Sequence, residues 1–192
     1  MHRYNATTPV WLKGILQNEY GVKPQDVEWY VAEPDIAEEA LRPSPPEIRV
    51  LFIPPPRTRE HAVELVERGE IDAALEPYPV LEASPKFRHL IQDYRQAEED
   101  YFRRTGAYTL NHLFVLREKI AAEHPWVVES LLTAFRQAEA AAGRYRMEKQ
   151  KAEAAWEREV MGEYFAYSLK KGCVRRSLET LMTYQIQQGI LD

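Results

Sequence analysis

Four places in this chain hold residues whose types and spacing suit chemistry on an anion. The first is the opening stretch Tyr4-Asn5-Ala6-Thr7-Thr8, which runs into an apolar helical pattern. Thr8 followed by Pro9 reads as an N-cap with proline at the first helical position. Val10, Trp11, Ile15 and Leu16 then recur at helical spacing, and Gly21 ends the run. A helix N-terminus presents unpaired backbone N–H groups and the positive end of the helix dipole, and threonine hydroxyls add donors. Tyr4, Asn5, Thr7, Thr8 and Trp11 are therefore candidates for holding a carboxylate or phosphate, beside the plainer reading that Thr8 only caps the helix. The second place is Arg103-Arg104, just before Thr105-Gly106, where the guanidinium of Arg104 can fork onto a carboxylate or stand as one of a solvated pair. The third is Glu76, Pro77 and Tyr78, at the end of the apolar run "IDAALE", because ligands of open α/β sheets gather at the carboxyl ends of strands. The fourth is His112, in the β-rich run "LNHLFVLR". Histidine titrates near neutrality and can donate a proton, though a histidine on a strand also serves packing. His61 and His124 read as surface residues at helix starts.

The bulk composition bounds what these residues can belong to. With 192 residues, 45% of them apolar, the chain can bury a substantial core in one domain or two small ones. A net charge of −5 argues against a general nucleic-acid binder, which carries a basic face. The single cysteine, Cys173, allows no intrachain disulfide and no cysteine-based zinc cluster. No apolar run approaches the ~20 residues of a membrane helix, and the first residues lack a secretory signal, so membrane insertion is not expected and the chain as written reads as cytoplasmic. No glycine-rich phosphate loop, paired-histidine zinc helix or Gly-x-Ser-x-Gly elbow occurs, and no cofactor is expected.

The elements that must position these residues follow from periodicity. Residues 27–32, "VEWYVA", and 48–54, "IRVLFIP", read as strands, the second stopped by prolines 54–56. Thr58 caps a helix whose apolar residues are Ala62, Val63, Leu65 and Val66, with Gly69 past its end. "IDAALEP" (71–77) follows as a strand, giving a strand–helix–strand order and a mostly parallel sheet covered by helices. "LNHLFVLR" (110–117) reads as a strand, and "FRHLIQD" (87–93) as a strand or a helical turn. Beyond it the pattern is helical: Val127, Leu131, Phe135, Ala138, Ala142 and Tyr145 share one face, and Val174, Leu178, Leu181, Met182 and Ile186 another. Residues 1–105 are thus α/β, and most of 106–192 is helical. Helical stripes with one strand beside them leave apolar surface that recruits a partner, so self-association or a second chain is expected.

Four stretches in order, "TTPVWLKGILQNEYGV", "GEIDAALEPYP", "YFRRTGAYTLNHLFVLREKIAAEHPWVVESLLTAF" and "YFAYSLKKGCVRRSLETLMTYQIQQGIL", resemble the 4,5-dihydroxyphthalate decarboxylase family. That family is similar in fold to type II periplasmic binding proteins, and many relatives are solute-binding components of ABC transporters. The resemblance implies a type II periplasmic-binding-protein-like α/β fold: one nearly complete α/β lobe at 1–105, and at 106–192 a crossing strand with C-terminal helices of the other lobe. It also implies that the chain lacks the family's N-terminal part, so that a second chain would complete lobe one, and that a lost signal would make the protein periplasmic. The implied activity is a cofactor-independent carboxy-lyase that binds a small aromatic carboxylate in an interlobe cleft, with His112 at the family's histidine delivering the proton to the ring carbon. The alternatives are a solute-binding module without turnover and an inactive remnant. Departures from the family include Thr109-Leu110-Asn111 where it has Pro-x-Met, and Glu76, which would repel an anionic substrate.

Overall fold

The computed structural model describes residues 1–32, 47–75, 85–142, 144, 148–161 and 172–191. The chain divides into two compact units, Met1–Glu98 with Ser177–Asp192, and Glu99–Arg176. Among the described residues no helix is long and apolar enough to cross a membrane.

In the first unit, helix α1 spans Thr7–Tyr20 and ends on Gly21, whose φ of 72° supplies the left-handed turn that releases the chain. Strands β1 (Trp29–Val31) and β2 (Val50–Phe52) pair in parallel, with Trp29 opposite Val50 and Val31 opposite Phe52. The first residues extend this sheet. The Met1 ammonium donates to the Tyr30 carbonyl oxygen at 2.9 Å, and the Ala32 N–H donates to the carbonyl oxygens of Met1 and His2, each at 3.2 Å. That alternation is the hydrogen-bond pattern of a parallel neighbour.

Helices cover the sheet on both faces because the side chains of β1 alternate. Trp29 and Val31 pack with Tyr4 and Leu16 on the α1 side. On the other side Tyr30 packs with Ala32, Ile53, Ala62 and Leu65. Ala62 and Leu65 belong to helix α2, Arg59–Glu67, which Thr58 caps by accepting from the His61 N–H at 3.2 Å. The expected strand at 71–77 does not form over its described residues. The N–H groups of Glu70 and Ile71 turn back onto the Leu65 carbonyl oxygen, so this backbone closes the end of α2 instead of joining the sheet. Residues 87–93 also form no strand, and they lead into helix α3, Tyr94–Thr105.

The second unit is helical, with α4 (Glu118–Glu123), α5 (Trp126–Ala142) and α6 (Glu148–Met161). Residues 110–117, expected as a strand, carry no regular structure, and positions 111–117 are all exposed. The sequence is β-prone, but among the described residues no neighbouring strand supplies backbone partners. The expected stripe on α5 is also largely uncovered, with Leu131 exposed. The last helix, α7 (Gly172–Gln187), buries Val174, Ser177 and Tyr184, and Gln188 just past its end is buried as well. Met182 and Ile186, expected on its inner stripe, are exposed. Two polar residues are buried in their place: Gln188 donates to the Val10 carbonyl oxygen at 2.9 Å, and Ser177 is fully buried.

Candidate functional site at the carboxyl edge of the sheet

Parallel strands place their carboxyl ends on one edge. In the first unit that edge gathers the Tyr4–Ala6 turn with the start of α1, Ala32, and the Ile53–Thr58 segment with the start of α2.

The start of α1 is built unlike the expectation. The N-cap is Ala6, not Thr8: the Ala6 carbonyl oxygen accepts from the Val10 N–H at 3.0 Å, so the helix begins two residues early. Thr7 and Thr8 are its first two residues, and Pro9 falls third, where a missing N–H costs no intrahelical bond. Ala6 has no side-chain oxygen, so the N-cap residue itself makes no side-chain cap. Thr8 is exposed, Thr7 and Asn5 half-buried, and Tyr4 and Trp11 buried.

Beneath this turn lies Lys13, which sequence reasoning missed. It is 1% exposed. Its Nζ donates to the Tyr4 carbonyl oxygen at 2.9 Å and sits 3.2 Å from the centre of the Tyr4 ring. Helical side chains lean toward the N-terminus, which carries the ammonium back to the Tyr4–Ala6 turn. The signal was present: Lys13 shares the buried face of Val10 and Gly14, and a lysine at a core position is unusual. The Tyr4 ring in turn meets Trp29 edge-on at 5.8 Å. A buried lysine and a helix N-terminus carrying two threonines thus meet at one turn, where the local electrostatics favour negative charge.

At the start of α2, His61 is more enclosed than a surface residue. Its Nδ1 lies 3.4 Å from Glu64 Oε2, and its Nε2 is buried without a hydrogen bond.

The other expected site residues fall elsewhere. Arg104 is exposed on α3, its guanidinium 5.9 Å from the Tyr101 ring, and His112 is exposed in the extended 110–117 segment; both belong to the second unit. The Thr105-Gly106 pair after Arg104 ends α3: Thr105 Oγ1 donates to the Tyr101 carbonyl oxygen at 2.7 Å and accepts from the Ala107 N–H at 3.1 Å. Glu76, Pro77 and Tyr78 lie outside the described residues. The structure thus keeps Tyr4, Asn5, Thr7 and Thr8 at one turn, whereas Trp11, expected among them, is buried with Val10 and Tyr184 on the face of α1 that meets the last helix.

No family model matches the chain. The chain is similar to 4,5-dihydroxyphthalate decarboxylase of Comamonas testosteroni, 28% identical over 145 residues, which cover 72% of this chain and 43% of that protein. The relation is a distant homology, and the chain spans less than half the length of this relative.

Proposed function

We propose that this chain binds a small aromatic carboxylate at the carboxyl edge of the first unit's sheet and acts on it as a decarboxylase. The observation that carries this reading is the distant homology to 4,5-dihydroxyphthalate decarboxylase. The start of α1 above the buried Lys13 supports it, because a helix N-terminus and a lysine beside one turn both favour an anionic oxygen there. The parallel sheet with helices on both faces also suits an α/β lobe of the type II periplasmic-binding-protein kind.

Decarboxylation breaks the bond between ring carbon and carboxylate. The bonding electron pair stays on the ring carbon, carbon dioxide leaves, and a proton takes its place. In this reading the first-turn N–H groups of α1, the hydroxyls of Thr7 and Thr8 and the charge of Lys13 hold anionic oxygen of the substrate. The proton comes from a general acid, and the family resemblance assigns that part to His112.

The test is calorimetric titration with phthalate, followed by release of carbon dioxide from 4,5-dihydroxyphthalate. Binding with release supports the reading, and His112→Gln then lowers turnover while leaving affinity in place. Binding without release makes the chain a solute-binding module. Absence of both overturns the proposal.

A further inference from the structure

The chain leaves β2 through Ile53 and three prolines, Pro54 to Pro56, before Arg57 and the Thr58 cap of α2. Proline fixes φ and carries no N–H, so this exit is stiff. Arg57 folds back over it. Its Nε donates to the Ile53 carbonyl oxygen at 3.3 Å, and its guanidinium carbon lies 4.5 Å from the centre of the Phe52 ring. These two contacts occupy Nε and one face of the guanidinium. Among the described residues the two terminal nitrogens make no hydrogen bond or ion pair, although Glu60 is only three positions on. Phe52 is 46% exposed, so ring and guanidinium form a stacked pair open to solvent.

Such an arginine is already ordered for a ligand. A guanidinium free to swing loses side-chain entropy on pairing, whereas one stacked on a ring and tied by Nε has lost much of it beforehand. Its terminal fork matches the two oxygens of a carboxylate. Its place is the carboxyl edge of the parallel sheet. The start of α1 lies on that same edge.

We propose that Arg57 is the specificity-determining cation of this site: its terminal nitrogens take a carboxylate of the aromatic acid, and Phe52 holds the guanidinium plane in place. The inference rests on the aromatic-carboxylate reading above and assigns the group that recognises the acid.

The experiment titrates phthalate, and benzamide as a neutral ring, into the wild type, Arg57→Gln, Arg57→Lys and Phe52→Leu at two salt concentrations. Arg57→Gln is expected to weaken phthalate binding by about tenfold or more and to flatten its salt dependence, with benzamide unchanged. Arg57→Lys restores only part of the loss, because an ammonium neither forks nor stacks as a guanidinium does. Phe52→Leu weakens phthalate binding by a smaller factor. Wild-type affinity in Arg57→Gln overturns the assignment while leaving the function reading intact. Equal loss of phthalate and benzamide also overturns it, since a carboxylate contact does not act on a neutral ring. A wild type that binds no phthalate overturns the function reading, and Arg57 falls with it.

Discussion

Gly14 of α1 lies under the ring of Tyr184 of α7: a Cβ built on Gly14 would stand 2.6 Å from Tyr184 Cε2 and nearer still to Cγ and Cδ2. Only a residue without a side chain lets the two helices approach this closely. The ring also meets Trp11 edge-on at 5.6 Å, and Val10, Trp11 and Tyr184 form one buried cluster. At an ordinary helix position glycine to alanine gains about 1 kcal/mol. Here Gly14→Ala is expected to cost about 1–3 kcal/mol, as overpacking does. Thermal unfolding reads this as a fall of about 2–4 °C per kcal/mol. In a Tyr184→Ala background the same substitution becomes stabilising, and that change of sign identifies the ring as the cause.

Lys13→Met keeps the length of the side chain and removes its ammonium. The Tyr4 carbonyl oxygen loses its donor and the Tyr4 ring its cation. The expected cost is about 1–3 kcal/mol in denaturant unfolding, the usual result of leaving a buried polar group unmet. Phthalate affinity falls in parallel, because the turn that Lys13 holds carries Asn5 to Thr8.

Tyr30 gives a pH signature. Its hydroxyl donates to Glu28 Oε1 at 2.5 Å, and that hydrogen bond, then burial and the negative charge of Glu28, raise its pKa above the ordinary 10.0 against an opposing pull from Arg49. A raised folded value means that the contribution to stability is complete below the ordinary tyrosine range and is lost as pH rises through the folded value. Ultraviolet titration of tyrosinate, with Tyr30→Phe subtracted, should show Tyr30 titrating late. Glu28→Gln should return it toward 10.0.

The two helix starts should respond oppositely to loss of threonine. Thr58→Ala removes the oxygen that accepts from His61 N–H and is expected to cost about 0.5–2 kcal/mol. Thr7→Ala removes no cap, since the N-cap of α1 is Ala6. It should leave stability nearly unchanged and weaken phthalate binding.

Leu113, Phe114 and Val115 are 44%, 78% and 91% exposed, a run of apolar surface in the second unit. We expect concentration-dependent association in light scattering, and Val115→Lys should suppress it. A monomer over the whole concentration range would remove this expectation.

The sequence made α1, β1, β2 and α2 legible because each has its own punctuation: Gly21, the prolines after Ile53, Thr58 and Gly69 all act locally. What it hid depends on distant partners. Lys13 stands out by sharing a face with Val10 and Gly14, but its partner, the Tyr4 carbonyl oxygen and ring, is set only by the fold. Ser177 buried on α7 and Gln188 buried just past its end, with Met182 and Ile186 outside, follow from how this segment meets its surroundings and not from its own hydrophobicity. Residues 110–117 read as a strand because β propensity is local, whereas a strand exists only where a neighbour pairs with it. At the site, the opening turn was legible through its threonines, but the residue that caps the helix was not, because an alanine N-cap leaves no mark in composition. Arg57 was invisible for a similar reason: only the fold lays it on Phe52.

The hydrogen bond from Gln188 to the Val10 carbonyl oxygen closes a loop of 178 residues. During synthesis the face of α1 that carries Val10, Trp11 and Gly14 leaves the ribosome long before the helix that covers it. At usual elongation rates the wait is roughly 10–30 s. For that interval the nascent chain displays an uncovered tryptophan face. The first unit finishes folding only after the last helix is released, so a stop codon a few turns early would leave α1 uncovered although every residue of the sheet had been made.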